Sequence, residues 1–168
     1  MSEASLQYVL DRFEIQDTIA RYTEGQDTHQ GDDGNIREQW DNVFDDDAVI
    51  DYTTGGGGAG PAELTDYRTL AQWMRGDGTT PGRMSAFTNW QHMLGLPVVT
   101  VDGDTATGWT EYFATHKGKA GTPLEGKSVY AAGAYHDKLA RTAKGWRVVH
   151  RRLEVFFIDT VQSNFEFV

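Results

Sequence analysis

Two histidines, His92 and His116, lie 24 positions apart on either side of an Asp-Gly turn. The stretch from Asn89 to His116 reads as two β-strands joined at Asp102-Gly103-Asp104, since Asp-Gly between alternating apolar runs is a strong hairpin signal. A hairpin folds the two imidazoles back towards each other. An imidazole, with an ordinary pKa of about 6.5, can accept and return a proton at neutral pH, and a positioned one does general acid–base work. A single histidine in a strand is more often structural than catalytic, so its company decides. Tyr112, Ala114 and His116 share one face by the two-residue period, and this small-and-polar set suits a cavity wall. Tyr22 and Asp27 stand at the C-terminal end of the first helical segment. A half-buried carboxylate such as Asp27 needs a partner, which a histidine supplies.

Other clusters carry less. Gly55 to Pro61 lacks the Gly-Lys-Ser/Thr ending of a phosphate loop and reads as a loop, with a lid over a pocket mouth as the alternative. Asp45-Asp46-Asp47 lacks the spacing of a calcium loop and reads as a solvated helix end. No histidine pair has the i, i+4 spacing of a helical zinc site. No metal site is expected.

The elements that must position these residues follow from periodicity. Ser5 to about His29 is helical, with stripes Leu6-Val9-Leu10-Phe13 and Ile15-Ile19-Tyr22 whose change of phase near Phe13 predicts two helices or a bend. A shorter helix, Asn35 to Phe44 with Asn35 as N-cap, precedes a strand at Ala48–Tyr52. Leu64 to Arg75 is helical. From Ala86 onward the chain reads as strands: the hairpin, then Lys127 to about Arg141, then Trp146 to Phe157, followed by an apolar tail. In the last strand Trp146, Val148 and His150 alternate with Arg147, Val149 and Arg151. Helices first and a strand meander second predict an α+β fold. Its expected form is a cone, a curved antiparallel or mixed sheet wrapped around the N-terminal helices with an internal pocket.

Composition narrows the function. The 168 residues are expected to form one domain, 1–168. Residues 1–80 carry 17 acidic and 5 basic residues, and residues 81–168 carry 8 and 10, giving the net charge of −10. Such a chain repels phosphate backbones and anionic lipid, so neither nucleic acid nor membrane is an expected partner. The absence of cysteine excludes disulfides and thiolate chemistry. No apolar run has transmembrane length, and the N-terminus lacks signal-peptide features. A cytoplasmic protein is the expectation.

A resemblance joins these pieces. The pattern Asp11-Arg12-x-x-Ile15-x-Asp17-x-Ile19-x-Arg21-Tyr22, then Asp27, Trp40…Phe44-x-x-Asp47-Ala48-Val49-Ile50-Asp51-Tyr52, Gln91-His92-Met93-Leu94-Gly95, and Tyr135-x-Asp137-x-Leu139-x-Arg141-Thr142…Gly145-Trp146-Arg147 resembles the SnoaL-like branch of the nuclear transport factor 2-like superfamily. Within that branch the pattern is similar to scytalone dehydratases. The resemblance gives site roles to Asp27, Tyr52, His92 and His116, and places Gly108-Trp109 eight residues before His116. Bile-acid dehydratases are similar in having a tyrosine five residues before the aspartate, here Tyr22. A family dehydrochlorinase has a similar Asp–His pair with an arginine near Arg141. The chain departs from the dehydratase pattern at Gln26, where a second tyrosine stands in that family, and near His136, where the family has an asparagine.

The expected reaction is a cofactor-independent elimination or isomerisation on a hydrophobic aromatic, polyketide or steroid-like compound. His92 is the general base, and Asp27 orients it and favours its charged form. Tyr52 and Tyr22 donate to the oxygen where charge develops. His116 protonates or positions a leaving hydroxyl. Tyr112, Arg141 and Trp109 join Tyr22 as substrate-binding residues. No metal or organic cofactor is required. Polyketide cyclase, epoxide hydrolase and aldehyde-releasing carbon–carbon lyase chemistry remain open alternatives, as does a non-catalytic binding domain. The apolar tail from Val155 to Val161 predicts either pocket closure or a homo-oligomer, with a trimer favoured over a dimer.

Overall fold

The computed structural model describes residues 3–28, 36–52 and 65–163. Asn35, the glycine-rich stretch 53–61, Leu64 and the end of the apolar tail lie outside the described residues. One continuous helix, α1 (Glu3–Thr28), spans the stretch where the sequence predicts two helices or a bend, so it is not two helices. Its buried stripe is Asp11, Ile15, Thr18, Ile19, Tyr22 and Gln26, whereas Leu6, Val9, Leu10 and Phe13 are exposed. The change of phase therefore marks which face the core covers, not an end of the helix. Helix α2 (Ile36–Trp40) is short, and Val43 and Phe44, expected in it, are buried at the start of strand β1 (Phe44–Asp51). Helix α3 (Tyr67–Arg75) opens with a capping box on Asp66 and Thr69. A 3₁₀ turn, Arg83–Ala86, leads into the strands.

Those strands are β2 (Phe87–Leu94), β3 (Val98–Asp102), β4 (Thr105–Gly118), β5 (Lys127–Thr142) and β6 (Gly145–Gln162). The expected first hairpin strand is thus two strands, and both pair antiparallel with β4. The break falls at Gly95-Leu96-Pro97, where proline has no N–H to give a ladder. Gly103 turns the hairpin with φ of 58°, a conformation glycine adopts without strain. The sheet order is β1-β6-β5-β4-β2, with β1 parallel to β6 and every other pairing antiparallel. Helix α1 lies across the inner face of this mixed sheet, touching β6 at one side and β2 and β3 at the other. Gly108 permits the approach, because a Cβ there would meet Ile19 Cδ1 at 2.9 Å.

Two irregularities in β6 decide which side chains face inward. Lys138 pairs with His150 and Leu139 with Val148, so Val149 is left over as a bulge. A one-residue insertion moves every later side chain to the other face. Trp146 and Val148 point into the core before it; Arg151, Leu153 and Val155 do so after it, and His150 is turned out of the inward series. A second register shift sits opposite Ala132 and Gly133.

The first bulge delivers a charge to the core. The Arg151 guanidinium bonds Asp137 through Nε and Nη2, both at 2.7 Å, with both side chains fully buried. Aromatic faces surround it, with its Cζ 4.4 Å from the ring centres of Tyr22 and Tyr135 and 5.3 Å from that of Phe44. Removing one member of such a pair strands the other charge in a medium that does not solvate it. Arg151→Met should therefore lose about 3–5 kcal/mol in urea denaturation, and the double variant Arg151→Met/Asp137→Leu should recover most of the loss. Equal stability of Arg151→Met and wild type would contradict this role.

Candidate active site

The last turn of α1 aims Tyr22, Gln26 and Asp27 at the sheet. Its Gln26 carbonyl, one of the acceptors a helix C-terminus leaves unpaired, accepts from Arg75 Nη2 at 2.7 Å and Trp90 Nε1 at 3.0 Å. The turn is thereby pinned to α3 and β2. Strand β2 is an edge of the sheet, so its outer N–H groups have no neighbouring strand. Asp27 takes one of them. Its Oδ2 accepts from the His92 backbone N–H at 2.6 Å, and its Oδ1 lies 2.7 Å from His92 Nδ1.

This double contact fixes the imidazole chemically. A carboxylate can only accept, so in the neutral ring the proton sits on Nδ1 and Nε2 keeps its lone pair. Consistent with that, the Gln26 side-chain N–H₂ lies 3.0 Å from Nε2 and donates to it. Neighbouring residues of one helical turn thus hold both ring nitrogens. Gln26 Oε1 is buried with no partner among the described residues.

The His116 ring lies 5.3 Å from that of His92, edge to face, and 4.9 Å from Phe87. Burial pushes the His116 pKa down to about 4; a charge on His92 acts in the same direction, while a backbone contact at Val129 and Asp27 oppose it. His116 is therefore neutral at pH 7, and its Nδ1 is buried without a partner among the described residues. Tyr22 and Tyr52 share a hydroxyl–hydroxyl hydrogen bond of 2.7 Å. Burial raises the pKa values of Tyr22, Tyr52 and Tyr135, keeping them protonated and able to donate. Tyr112 stacks on Tyr135 with ring centres 4.9 Å apart. Gly133 leaves room for it, since a Cβ there would meet Tyr112 Oη at 2.8 Å.

These groups converge on a cavity of about 210 Å³. His92, His116, Gln26, Tyr22, Tyr52 and Tyr112 supply its polar side; Trp73, Met84, Phe87, Leu153, Val155 and Ile158 are among its apolar walls. A larger recess of about 570 Å³ lies alongside. It is lined by Asp27, His116, Asn89, Gln91, Thr115 and Lys117, but by neither His92 nor the tyrosines Tyr22 and Tyr52. No group of three or more His, Asp or Glu among the described residues is arranged to hold a metal ion.

Two expected residues lie elsewhere. Trp109 is an odd-numbered residue of β4, whereas Tyr112, Ala114 and His116 face inward; its side chain is 38% exposed, and it pairs across the sheet with His136. Arg141 bonds Asp11 at 2.7 Å and Asp104 at 2.9 Å, and stacks over Trp146. Asp11 is 16 residues before Asp27 on α1, about 24 Å along the helix axis. Conversely, Asp137 and Arg151 were not singled out as site residues. Strict alternation turns His150 inward, and no residue type in the sequence marks the bulge at Val149. Gln26 was visible only as a departure from the dehydratase pattern.

Comparison with known proteins follows the same lines. Residues 7–152 match the SnoaL-like domain family. Uncharacterized proteins of Mycobacterium tuberculosis and Mycobacterium bovis are 33% identical over 155 residues, covering 89% of this chain and 88% of theirs. Among solved structures, the hexachlorocyclohexane dehydrochlorinase LinA-type3 of Novosphingobium barchaimii superposes with a TM-score of 0.67 at 17% identity, covering 98% of each chain. A candidate scytalone dehydratase of Novosphingobium aromaticivorans gives 0.63 at 18% identity, covering 99% of this chain and 94% of that one. These two likenesses establish a shared fold, and an NTF2-like protein of Novosphingobium aromaticivorans superposes with a TM-score of 0.66 at 25% identity, covering 91% of this chain and 86% of that one.

The depressed His116 pKa has a consequence for stability. Between pH 6.5 and about 4 the unfolded chain binds a proton at this position that the folded protein excludes. Stability from this group is complete above pH 6.5 and falls as the pH drops towards 4. Urea midpoints measured from pH 7.5 to pH 4.5 should show a shallower loss in His116→Phe than in wild type. An unchanged slope would contradict the burial assigned to this imidazole.

Proposed function

The chain belongs to the SnoaL-like domain family, whose fold is shared with dehydratase and dehydrochlorinase neighbours, and we propose that it is a cofactor-independent lyase or isomerase. The observation that carries this reading is the two-point hold of Asp27 on His92, through Nδ1 and the backbone N–H, beside an apolar cavity. That hold supports His92 Nε2 as the base. It removes a proton from a carbon activated by a neighbouring carbonyl, and Asp27 stabilises the imidazolium that forms. The Gln26 amide marks the direction in which Nε2 accepts, and the substrate C–H takes that place.

Negative charge then develops on the substrate oxygen. Tyr52, bonded to Tyr22 and backed by the Arg151 guanidinium, donates to it. His116, neutral near pH 7, positions the departing hydroxyl, which takes the proton held by His92 Nε2 as the C–O bond breaks and leaves as water; in an isomerisation the same proton returns to another carbon. The cavity volume of about 210 Å³ and its apolar walls fit a compact substrate of one or two rings. Elimination is favoured over isomerisation because a second imidazole stands 5.3 Å from the first. Tyr112 closes the aromatic side of this pocket.

Self-association is part of the same proposal. Met93, Phe113, Ala132 and Phe157 form a row across four strands on the sheet face opposite the cavity. Met93 and Phe157 in this row, with Phe156 and Val161 nearby in sequence, are about half exposed, a pattern that supports a contact between copies.

Two measurements test these statements. Wild type and His92→Ala, incubated with an extract rich in aromatic and polyketide metabolites and followed by mass spectrometry, should differ in a product lighter by one water. Turnover should fall about 10²–10⁴-fold in His92→Ala, and Asp27→Asn should lose activity while remaining folded. Near wild-type turnover in His92→Ala would overturn the assignment. Sedimentation at micromolar concentration should give a trimer or dimer, and a monomer would remove the proposed contact.

A further inference from the structure

Gln26 is placed more deliberately than a filler of the pocket wall. It is 3% exposed, its N–H₂ contacts both His92 Nε2 at 3.0 Å and Met74 Sδ at 3.6 Å, and its Oε1 has no partner among the described residues. A buried amide with one edge bonded and the other empty leaves a strong acceptor unsatisfied. The backbone around it is fixed by Arg75 and Trp90 on the Gln26 carbonyl. Only the end of the side chain is free to adapt.

Protonation of His92 creates a conflict at this amide. Asp27 holds Nδ1 and the backbone of His92, so the ring does not rotate to relieve it. A proton added to Nε2 would therefore point at the N–H₂ of Gln26, donor against donor. The terminal torsion of glutamine is broad and roughly two-fold, and half a turn replaces N–H₂ with Oε1. We propose that the Gln26 amide turns over when His92 takes up a proton, donating to Nε2 in the neutral state and accepting from Nε2–H in the charged state.

The amide then acts as a positioning residue that satisfies Nε2 in either protonation state of the ligand-free site, until a substrate takes its place. Other groups around His92 are Asp27 from α1, and His116 and Tyr112 from β4 and Arg83 from the 3₁₀ turn, which line the same cavity; Arg75 from α3 bonds the neighbouring Gln26 carbonyl. All of them are retained when only residue 26 is changed.

The sign of one titration shift decides the matter. A hydrogen bond to a charged partner is roughly twice as strong as a neutral one, so an amide that turns over favours the charged ring. An amide that only donates favours the neutral ring. Long-range ¹H–¹⁵N spectra of the ligand-free protein should therefore show the His92 midpoint falling in Gln26→Met, by about tenfold in proton affinity. An unchanged or raised midpoint would overturn the proposal. In the wild type, nuclear Overhauser contacts from the Gln26 side-chain N–H₂ to the His92 ring should be present above the midpoint and lost below it. Their persistence below it would also overturn the proposal, whether or not Gln26→Met folds. The catalytic meaning rests on the reading of His92 as the base, but both measurements are made without substrate. A failure of turnover in activity assays and a failure of this switch are thus separate results.

Discussion

A single carboxylate, Asp27, ties the helix layer to the sheet at the point where chemistry is possible. It accepts from the backbone N–H of an edge strand and from the imidazole on the same residue. The first bond satisfies a group that the sheet leaves open; the second selects which ring nitrogen keeps its lone pair. Everything else in the site depends on that selection. Moving the helix by one residue would put Asp27 on a different side of α1 and leave both donors of His92 without their acceptor.

The remainder of the fold makes that contact rigid. Helix α1 is seated through Ile15, Ile19 and Tyr22, all fully buried. Its last turn is pinned through the Gln26 carbonyl, and its first buried residue, Asp11, through Arg141 and Trp146. Arg141, which the resemblance places at the substrate site, bonds Asp11 and anchors the far end of the helix. The buried Arg151–Asp137 pair carries weight nearer the cavity. It places a positive charge over the rings of Tyr22 and Tyr135 and beside Tyr52 without exposing it to water. Burial keeps these hydroxyls protonated, while the buried charge pulls the other way and makes them better donors.

Much of this was legible from the residues alone, for identifiable reasons. Alternation on β4 correctly grouped Tyr112 with His116, because a regular strand has a fixed period of two. The same rule turns Trp109 outward, where a resemblance between motifs had suggested a substrate contact. Asp27 and His92 are 65 positions apart, and their meeting depended on the fold assignment, which the family match supports. What stayed hidden was irregular. The bulge at Val149 exchanges His150 for Arg151 at the core face, and the break at Pro97 divides one expected strand into two. Both are local departures from periodicity, produced by how long strands fit a curved sheet. The exposed apolar face of α1 misled in another way: Leu6, Leu10 and Phe13 have helical spacing but no element packed over them among the described residues.

The central claim is that Asp27 directs the His92 lone pair into the cavity. The ring ¹⁵N shifts of His92 in the ligand-free protein, at a pH where the imidazole is neutral, test it without a substrate. The account predicts a protonated Nδ1 and a bare Nε2, with that preference weakened in Asp27→Asn. A proton found on Nε2 in the wild-type protein would contradict it.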